Sequence, residues 1–454
     1  MNLIWPCRGR LRCASGPLAL LALLCGLQVA PAASAQEAAT RLGGILDLAR
    51  ASDAQYAAAR AAAAAGREKL PQARAALQPN VNFNWVVKRN ADGSSAYSDT
   101  RRYDAGGASL NVTQPLFRLV NQAGVEQAES QLQQTEQQLA LAGQELLLRV
   151  AKGYFDVLQA QDELAAAGAQ KDALVQQLAQ ARRSFEVGTV PVTDLNEVQA
   201  RHDLAVAQEI AARNDLELRK RVLERSIARP LPLLARLGAS AQTELMRDDA
   251  LDALVEAAAR DAWPVRIARS AVDIAAAELR RRDAAHQPTL DLVATLRRDN
   301  NVNYGQFGGS ETRQRSIGVE LNVPLYQGGA ISSRSREAAA ELLRAHEELS
   351  NAQRAAQLDA SQARLGVQSG RALTQALRQA LLSSETLLRS TQRGQQVGVR
   401  TRVDVLNAEQ QLFLTRKDLA AARYRALLAL LQLKAASGAL ADADLRGLDA
   451  FLTE

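Results

Sequence analysis

Two carboxylates, Asp194 and Asp404, stand 210 positions apart in the same setting: each lies six residues beyond a glycine, Gly188 or Gly398, that closes a long run rich in Ala, Gln and Leu. A glycine after a helical run marks a C-terminal cap. An acidic residue soon afterwards marks the first turn of the next helix, where the macrodipole favours negative charge. Spacing alone therefore makes both aspartates electrostatic residues at helix starts. Catalytic chemistry has less to draw on. His202, His286 and His346 are far apart, and Cys7, Cys13 and Cys25 all precede residue 36, so neither a Cys–His pair nor a zinc ligand set assembles. Gly-x-Ser-x-Gly does not occur, and Gly106-Gly107 and Gly328-Gly329 sit at a strand start and a strand exit, where turns need glycine. No enzyme, cofactor or metal site is expected.

The two glycines belong to a duplication that runs through the chain. Pro79 matches Pro288 and Pro115 matches Pro324 at an offset of 209, and the register extends back without a gap to Ile45 against Leu254. In each half Gln-Pro opens a pair of segments and Pro-Leu-aromatic closes it, as Pro115-Leu116-Phe117 and Pro324-Leu325-Tyr326. These segments alternate with period two. In the first pair Val81, Phe83, Trp85 and Val87 alternate with Asn80, Asn82, Asn84 and Lys88, and Ala108, Leu110 and Val112 with Ser109, Asn111 and Thr113. In the second, Leu290, Leu292, Ala294 and Leu296 alternate with Thr289, Asp291, Thr295 and Arg297, and Ile317, Val319, Leu321 and Val323 with Ser316, Gly318, Glu320 and Asn322. Each segment approaches the ~9–11 residues of a tilted membrane strand. Proline cannot donate to a ladder, so Pro115 and Pro324 are expected to turn the chain out of the sheet into a helix.

Most of the remainder reads as helix, and each of Gly188 and Gly398 is the tip of a helical hairpin. Residues 45–78 and 193–228 laid end to end match 117–186 in length, about 105 Å at ~1.5 Å per residue. The spacing of Leu174, Leu178, Ala181 and Phe185, and of Leu406, Phe413, Ala420, Tyr424, Leu427 and Leu431, suits coiled-coil packing. The expected organisation is a signal peptide over 1–35 and a first repeat over 36–228, with a β-hairpin over 80–116, a long helix over 117–186 and a helix over 193–228. An equatorial linker over 229–250 follows, where Pro230, Pro232 and Gly238 break periodicity. The second repeat covers 251–438, with a hairpin over 289–325, a long helix over 326–396 and a helix over 403–437; a C-terminal tail covers 439–454.

The leader combines Arg8, Arg10 and Arg12, an apolar run from Leu18 to Leu27, and an Ala33-Ser34-Ala35 cleavage site. Cleavage there starts the mature chain at Gln36 without cysteine. Lipidation at Cys25 is the alternative, disfavoured by the bulky Leu24 before it. Removing three arginines from the 55 basic residues leaves 52 against 49 acidic ones, which is no nucleic-acid footprint. Aromatic content is only 4%, and the composition suits long helices packed through small side chains. Four amphipathic strands cannot close a barrel, and an open edge is not tolerated in lipid. Three chains would supply twelve strands, within the usual range, and would stack an α-helical cylinder on the same axis. A soluble coiled-coil scaffold without a pore accounts for the helices and leaves the strands unexplained.

The tips Phe185-x-Val-Gly-x-x-Pro-Val-Thr-Asp and Val397-Gly-x-Arg-Thr-x-Val-Asp-Val-Leu-Asn-Ala-Glu-Gln-Gln-Leu-Phe, with the Pro-Leu-Phe and Pro-Leu-Tyr exits in duplicated order, resemble the TolC family of outer-membrane exit ducts. The likeness runs from about Thr40 to Gly438. It implies a mainly α chain with a membrane β-barrel: a homotrimer whose twelve-stranded barrel spans the outer membrane of a Gram-negative bacterium and continues as a long periplasmic α-barrel. It also implies a periplasmic adaptor and an inner-membrane transporter, ABC type favoured over RND type. The leader and the second tip look more like the branch that secretes proteins by the type I route, an RTX-type toxin among the conceivable cargoes, than like the branch that exports drugs or other small molecules. By the same resemblance Asp404 and Asn407 line the periplasmic constriction, with asparagine where the family has a second aspartate. Arg400 and Asp194, beside Thr193, fall on a charged link between helices. A tyrosine that usually assists this link is here Gln395.

Overall fold

The computed structural model describes residues 40–92, 101–238, 251–301 and 310–453. The expected signal peptide over 1–35, with Cys25, lies outside the described residues, as do 239–250 of the linker. The stretch expected as one helix over 45–78 is three: α1 (Leu42–Ser52), α2 (Ala54–Arg67) and α3 (Lys69–Ala75). Asp53 ends the first by turning extended and accepting a hydrogen bond from the Tyr56 N–H, which caps α2. Pro71 lacks the N–H that would continue α2, so the helix breaks just before it, at Glu68.

β1 (Asn80–Asp92) and β2 (Arg101–Phe117) lead into α4 (Leu119–Glu186), which returns through the first tip to α5 (Val192–Ile227). The short β3 (Arg236–Leu237) precedes α6 (Leu251–Asp261) and α7 (Trp263–Asp283), separated at Ala262, where Pro264 begins a new helix. β4 (Thr289–Asn301), β5 (Ser310–Asn322), α8 (Ala330–Gln396) and α9 (Arg402–Ala436) repeat the plan, and α10 (Asp442–Asp449) and β6 (Leu452–Thr453) close the chain. At 68 residues, α4 is roughly 100 Å long.

The two strand exits differ from expectation and from each other. β2 continues past Pro115 to Phe117, with its register against β4 shifting between them, a bulge that accommodates the missing N–H. Arg118 then turns the corner and grips Asp291 of β4 with two guanidinium nitrogens, so α4 starts at Leu119 rather than 117. β5 stops at Asn322, before Pro324, and the left-handed Gly328 and Gly329 (φ 59° and 81°) carry the chain into α8 at Ala330 rather than 326.

The sheet has the order β1-β2-β4-β5, antiparallel throughout. Paired residues share a face: Phe83 opposes Leu110, Leu110 opposes Leu296, Ala294 opposes Ile317 and Leu292 opposes Val319. The other face carries Asn82 opposite Asn111, Asn111 opposite Thr295 and Thr295 opposite Ser316. One chain thus presents a continuous apolar face, with Phe83, Trp85 and Ile317 each at least 70% exposed, backed by a polar one. The outer rows of β1 and β5 have no strand partner among the described residues. Among the described residues no helix is long and apolar enough to cross a membrane.

The best-packed region lies where α1, α4, α5, α9 and α10 meet, around Leu46, Tyr154, Leu158, Leu223, Leu427 and Leu445. Tyr154 donates to the Ala235 carbonyl at 2.7 Å, and Tyr424 donates to Asp162 at 2.7 Å, tying α4 to the linker and to α9. Burial pushes both phenols well above their ordinary range. The segment expected as a tail over 439–454 belongs to this core. Leu440, Leu445, Leu448 and Leu452 are buried, β6 pairs with β3, and Asp449 accepts the Gly43 N–H at 3.1 Å.

Candidate functional site

The tips are built from backbone requirements first. α4 ends at Gly188 (φ 74°), whose N–H donates to the Phe185 carbonyl at 2.9 Å, while both the N–H and the hydroxyl of Thr189 donate to the Ser184 carbonyl at 2.9 Å. α8 ends at Gly398 (φ 81°), with the Val399 N–H on the Gly394 carbonyl at 2.9 Å. A Cβ at either glycine would meet nothing within 4 Å, so the left-handed conformation, not crowding, calls for glycine.

The helices that follow start differently. Thr401 caps α9 through a reciprocal capping box: its hydroxyl accepts from the Asp404 N–H at 3.1 Å, and its own N–H donates to the Asp404 carboxylate at 2.9 Å. These hydrogen bonds, aided by the nearby charge of Arg400, hold the Asp404 carboxyl below the usual carboxylate range. Pro191 occupies the corresponding position before α5 and offers no side-chain cap. Asp194 lies half-buried in the first turn of α5. Its N–H donates to the Pro191 carbonyl at 3.2 Å, while its carboxylate has no hydrogen bond or ion pair among the described residues. Thr193 and Arg400 are exposed, and Arg400 and Asp194 do not pair within one chain.

The structure brings together a different link between the tips. Arg201 of α5 donates to Glu197 at 2.8 Å, to Asn407 of α9 at 2.9 Å and to Gln410 at 3.4 Å, so one guanidinium bridges both hairpins. Beneath it Leu406 of α9 packs among Leu174, Leu178, Ala181, Val198 and Ala205 of the first hairpin. Of the residues expected to pack in coiled-coil fashion, Phe185 instead remains substantially exposed at the tip. Deeper still, the half-buried Glu409 accepts from Gln177 of α4; burial raises its pKa, and hydrogen bonds from Gln177 and Gln392 offset part of the rise. Sequence reasoning missed Arg201. Its only local signal is Glu197 four residues earlier, an ordinary helix-face pair, whereas Asn407 is 206 residues away.

Neither tip gathers a nucleophile with a base. The arrangement sets carboxylates and amides at the mouth of a helical bundle, where assembly of several chains would multiply them around an axis. Pro115 and Pro324 lie near the other end of α4 and α8, Pro115 still within β2 and Pro324 two residues beyond β5.

Comparison with known proteins follows the same division. The family model described as outer membrane efflux protein matches residues 45–229 and again 254–439, once for each repeat. The chain is 32% identical over 416 residues to outer membrane protein TolC of Vibrio cholerae serotype O1, covering 91% of this chain and 94% of that protein. It is 30% identical over 425 residues to proteases secretion protein PrtF of Dickeya chrysanthemi, covering 90% and 91% respectively. Among solved structures, the outer membrane protein VceC of Vibrio cholerae superposes with a TM-score of 0.71 at 18% identity, covering 87% of this chain and 96% of that one.

Proposed function

Since the chain belongs to the outer membrane efflux protein family, that of TolC, we propose that it is the exit duct of a type I protein-secretion machine. Members of the family are trimeric outer-membrane channels that work with a periplasmic adaptor and an inner-membrane transporter, and the chain has their fold: four strands towards a twelve-stranded barrel, continued by long periplasmic helices. The observation that carries the finer reading is the similarity to a protease secretion protein along 90% of this chain. An ABC-type transporter and a protein cargo follow from that reading. The polar face of the sheet, with Asn82, Asn111, Thr295 and Ser316, suits a hydrated lumen through which an extended polypeptide passes.

The gate of this duct is assigned to the tips. In a trimer, Asp404 from each chain forms a ring of carboxylates and Asn407 a ring of amides above it. Arg400 of one protomer meets Asp194 of the next, with Thr193 alongside. That the Asp194 carboxylate has no partner among the described residues supports this reading, because a half-buried carboxylate gains from a cation supplied by a neighbour.

The test is complementation. In a Gram-negative host lacking its own duct, the protein is co-expressed with the transporter, adaptor and protease cargo of a type I system, and both protease in the medium and drug susceptibility are measured. Secreted protease is the expected result. Restored drug resistance without secretion would replace the reading by small-molecule efflux, with an RND-type partner. Intact trimers that restore neither would overturn the protein-secretion assignment.

A further inference from the structure

The apolar face of the sheet changes character towards the loop ends of the strands. Following alternate residues, Val87 of β1 gives way to Arg89, Leu296 of β4 to Arg298, and Ile317 of β5 to Arg315 and then Arg313; in β2, Ala108 is followed by Gly106, Asp104 and Arg102. All five arginines are exposed. The carboxylates on this face are fewer. Asp104 pairs with Arg89 at 2.8 Å, and the one carboxylate of Glu311 takes both Arg298 and Arg313 at 2.7 Å. The side chains of Arg102 and Arg315 have no hydrogen bond or ion pair among the described residues. Five arginines against Asp104 and Glu311 leave an excess of three positive charges per chain on this face, so the cluster is more than a set of cross-strand ion pairs.

The boundary between apolar and basic residues crosses the sheet on a slant. It lies at Arg315 in β5, whose register row runs through Leu296 and Leu110 to Phe83, and at Arg89 in β1, three same-face steps further along. That displacement is roughly 20 Å, across three strand spacings totalling roughly 14 Å. Strands of a membrane barrel tilt by about 35–45°, so over that width a plane level with the membrane shifts by roughly 10–14 Å along the strands, which accounts for about half or more of the slant. The arginines therefore form one belt immediately above the hydrocarbon-facing residues. The long helices leave the sheet at the opposite end into the periplasm, so this belt lies at the outer leaflet.

We propose that Arg102, Arg298, Arg313 and Arg315, with Arg89, bind the phosphate groups of the phosphorylated glycolipid of the outer leaflet. The planar guanidinium fork suits bidentate phosphate contacts, and at this height the nearest fixed anions are lipid headgroups. Adjacent apolar residues, Trp85 and Ile317 among them, hold the acyl chains of the same lipid, so binding needs both phosphate and chain. Across three protomers the belt encircles the barrel and anchors its height in the membrane.

The experiment uses purified trimers in detergent, offered lipid A bearing two phosphates or the same lipid with its phosphates removed, with retained lipid counted by native mass spectrometry and trimer stability followed by thermal denaturation. Wild type is expected to retain and be stabilised by the phosphorylated form only. Combined Arg102→Gln, Arg298→Gln, Arg313→Gln and Arg315→Gln should weaken retention about tenfold or more; Arg297→Gln, on the lumen face, should leave it unchanged. Arg315→Gln alone breaks no ion pair among the described residues and should lose part of the retention, which keeps the test decisive if the combined variant fails to assemble. Equal retention of the two lipids, or of the phosphorylated lipid by wild type and Arg315→Gln, would overturn the proposal. So would equal stabilisation by inorganic phosphate, since that would mark a site for free anions.

Discussion

At the second tip Asp404 closes a capping box with Thr401, and both partners are satisfied inside one chain. At the first tip Pro191 stands in the place of Thr401, no side chain caps the helix, and the Asp194 carboxylate is left without a partner among the described residues. Two carboxylates made equivalent by duplication have thus acquired different duties. Asp404 holds a helix start while still presenting charge, and Asp194 is available to something outside its own chain. Duplication copies the backbone of a turn, whereas one substitution at the cap redistributes its hydrogen bonds.

The largest effect that would sharpen this contrast is electrical. In planar bilayers Asp404→Ala should weaken cation preference and reduce block by multivalent cations on the order of tenfold, because like charges within low-dielectric walls focus the field; unchanged block would return Asp404 to a purely structural capping role. Arg201→Ala should raise closed-state conductance several-fold by releasing Asn407 and Gln410 from α5, and a conductance equal to wild type would show that apolar packing around Leu406 alone closes the tip. Asp194→Ala and Arg400→Ala should each raise conductance more modestly, with no further rise when combined. Additive rises would break the idea that the two residues face each other across protomers.

Smaller effects separate the caps themselves. Thr401→Ala should destabilise the start of α9 by about 1 kcal/mol, seen as faster amide exchange there, whereas Pro191→Thr should slow exchange at the start of α5. The carboxylate half of the capping box has a sign that can be checked. Because the Asp404 pKa lies below its ordinary value of 3.8, its contribution is present above that pH and is lost as pH falls through the lower folded value. Glu409 runs the other way. Its raised pKa means that its contribution is fully present below 4.5 and is lost as pH rises through the folded value. Glu409→Gln should therefore raise the melting temperature at neutral pH and leave it unchanged near pH 4; a uniform shift at both would show that charge is not the cause.

Much of the fold was legible because its signals are periodic and repeated. The alternation from Val81 to Val87 and from Leu290 to Leu296 marked strands, and Gly188 and Gly398 marked hairpin tips. Helix breaks were harder, since Asp53 and Pro71 sit inside a uniformly Ala-rich stretch whose composition says helix throughout. The closing segment was misjudged for a similar reason. Leu445, Leu448 and Leu452 have core spacing, but in 16 residues such a pattern cannot be told from an exposed short helix until α1 and the β3 partner are seen to cover it. In the candidate site, the positions of Asp194 and Asp404 were legible and the difference between them was not.

By itself, the sequence determined the duplication, the apolar and polar faces of four strands, and the turns where only glycine relieves a left-handed backbone. These are local or periodic properties, set by sterics and by the repeat of each element. Tertiary structure alone decided that the second hairpin pairs beside the first as β2 with β4, that Arg201 joins two tips across 206 residues, and that the Asp194 carboxylate finds no partner among the described residues. It also decided where the apolar belt ends, because a level plane across tilted strands selects residues from four registers that no single segment reveals. Contacts of this kind depend on how long helices and paired strands are placed against one another, a relation that spacing along one chain does not encode.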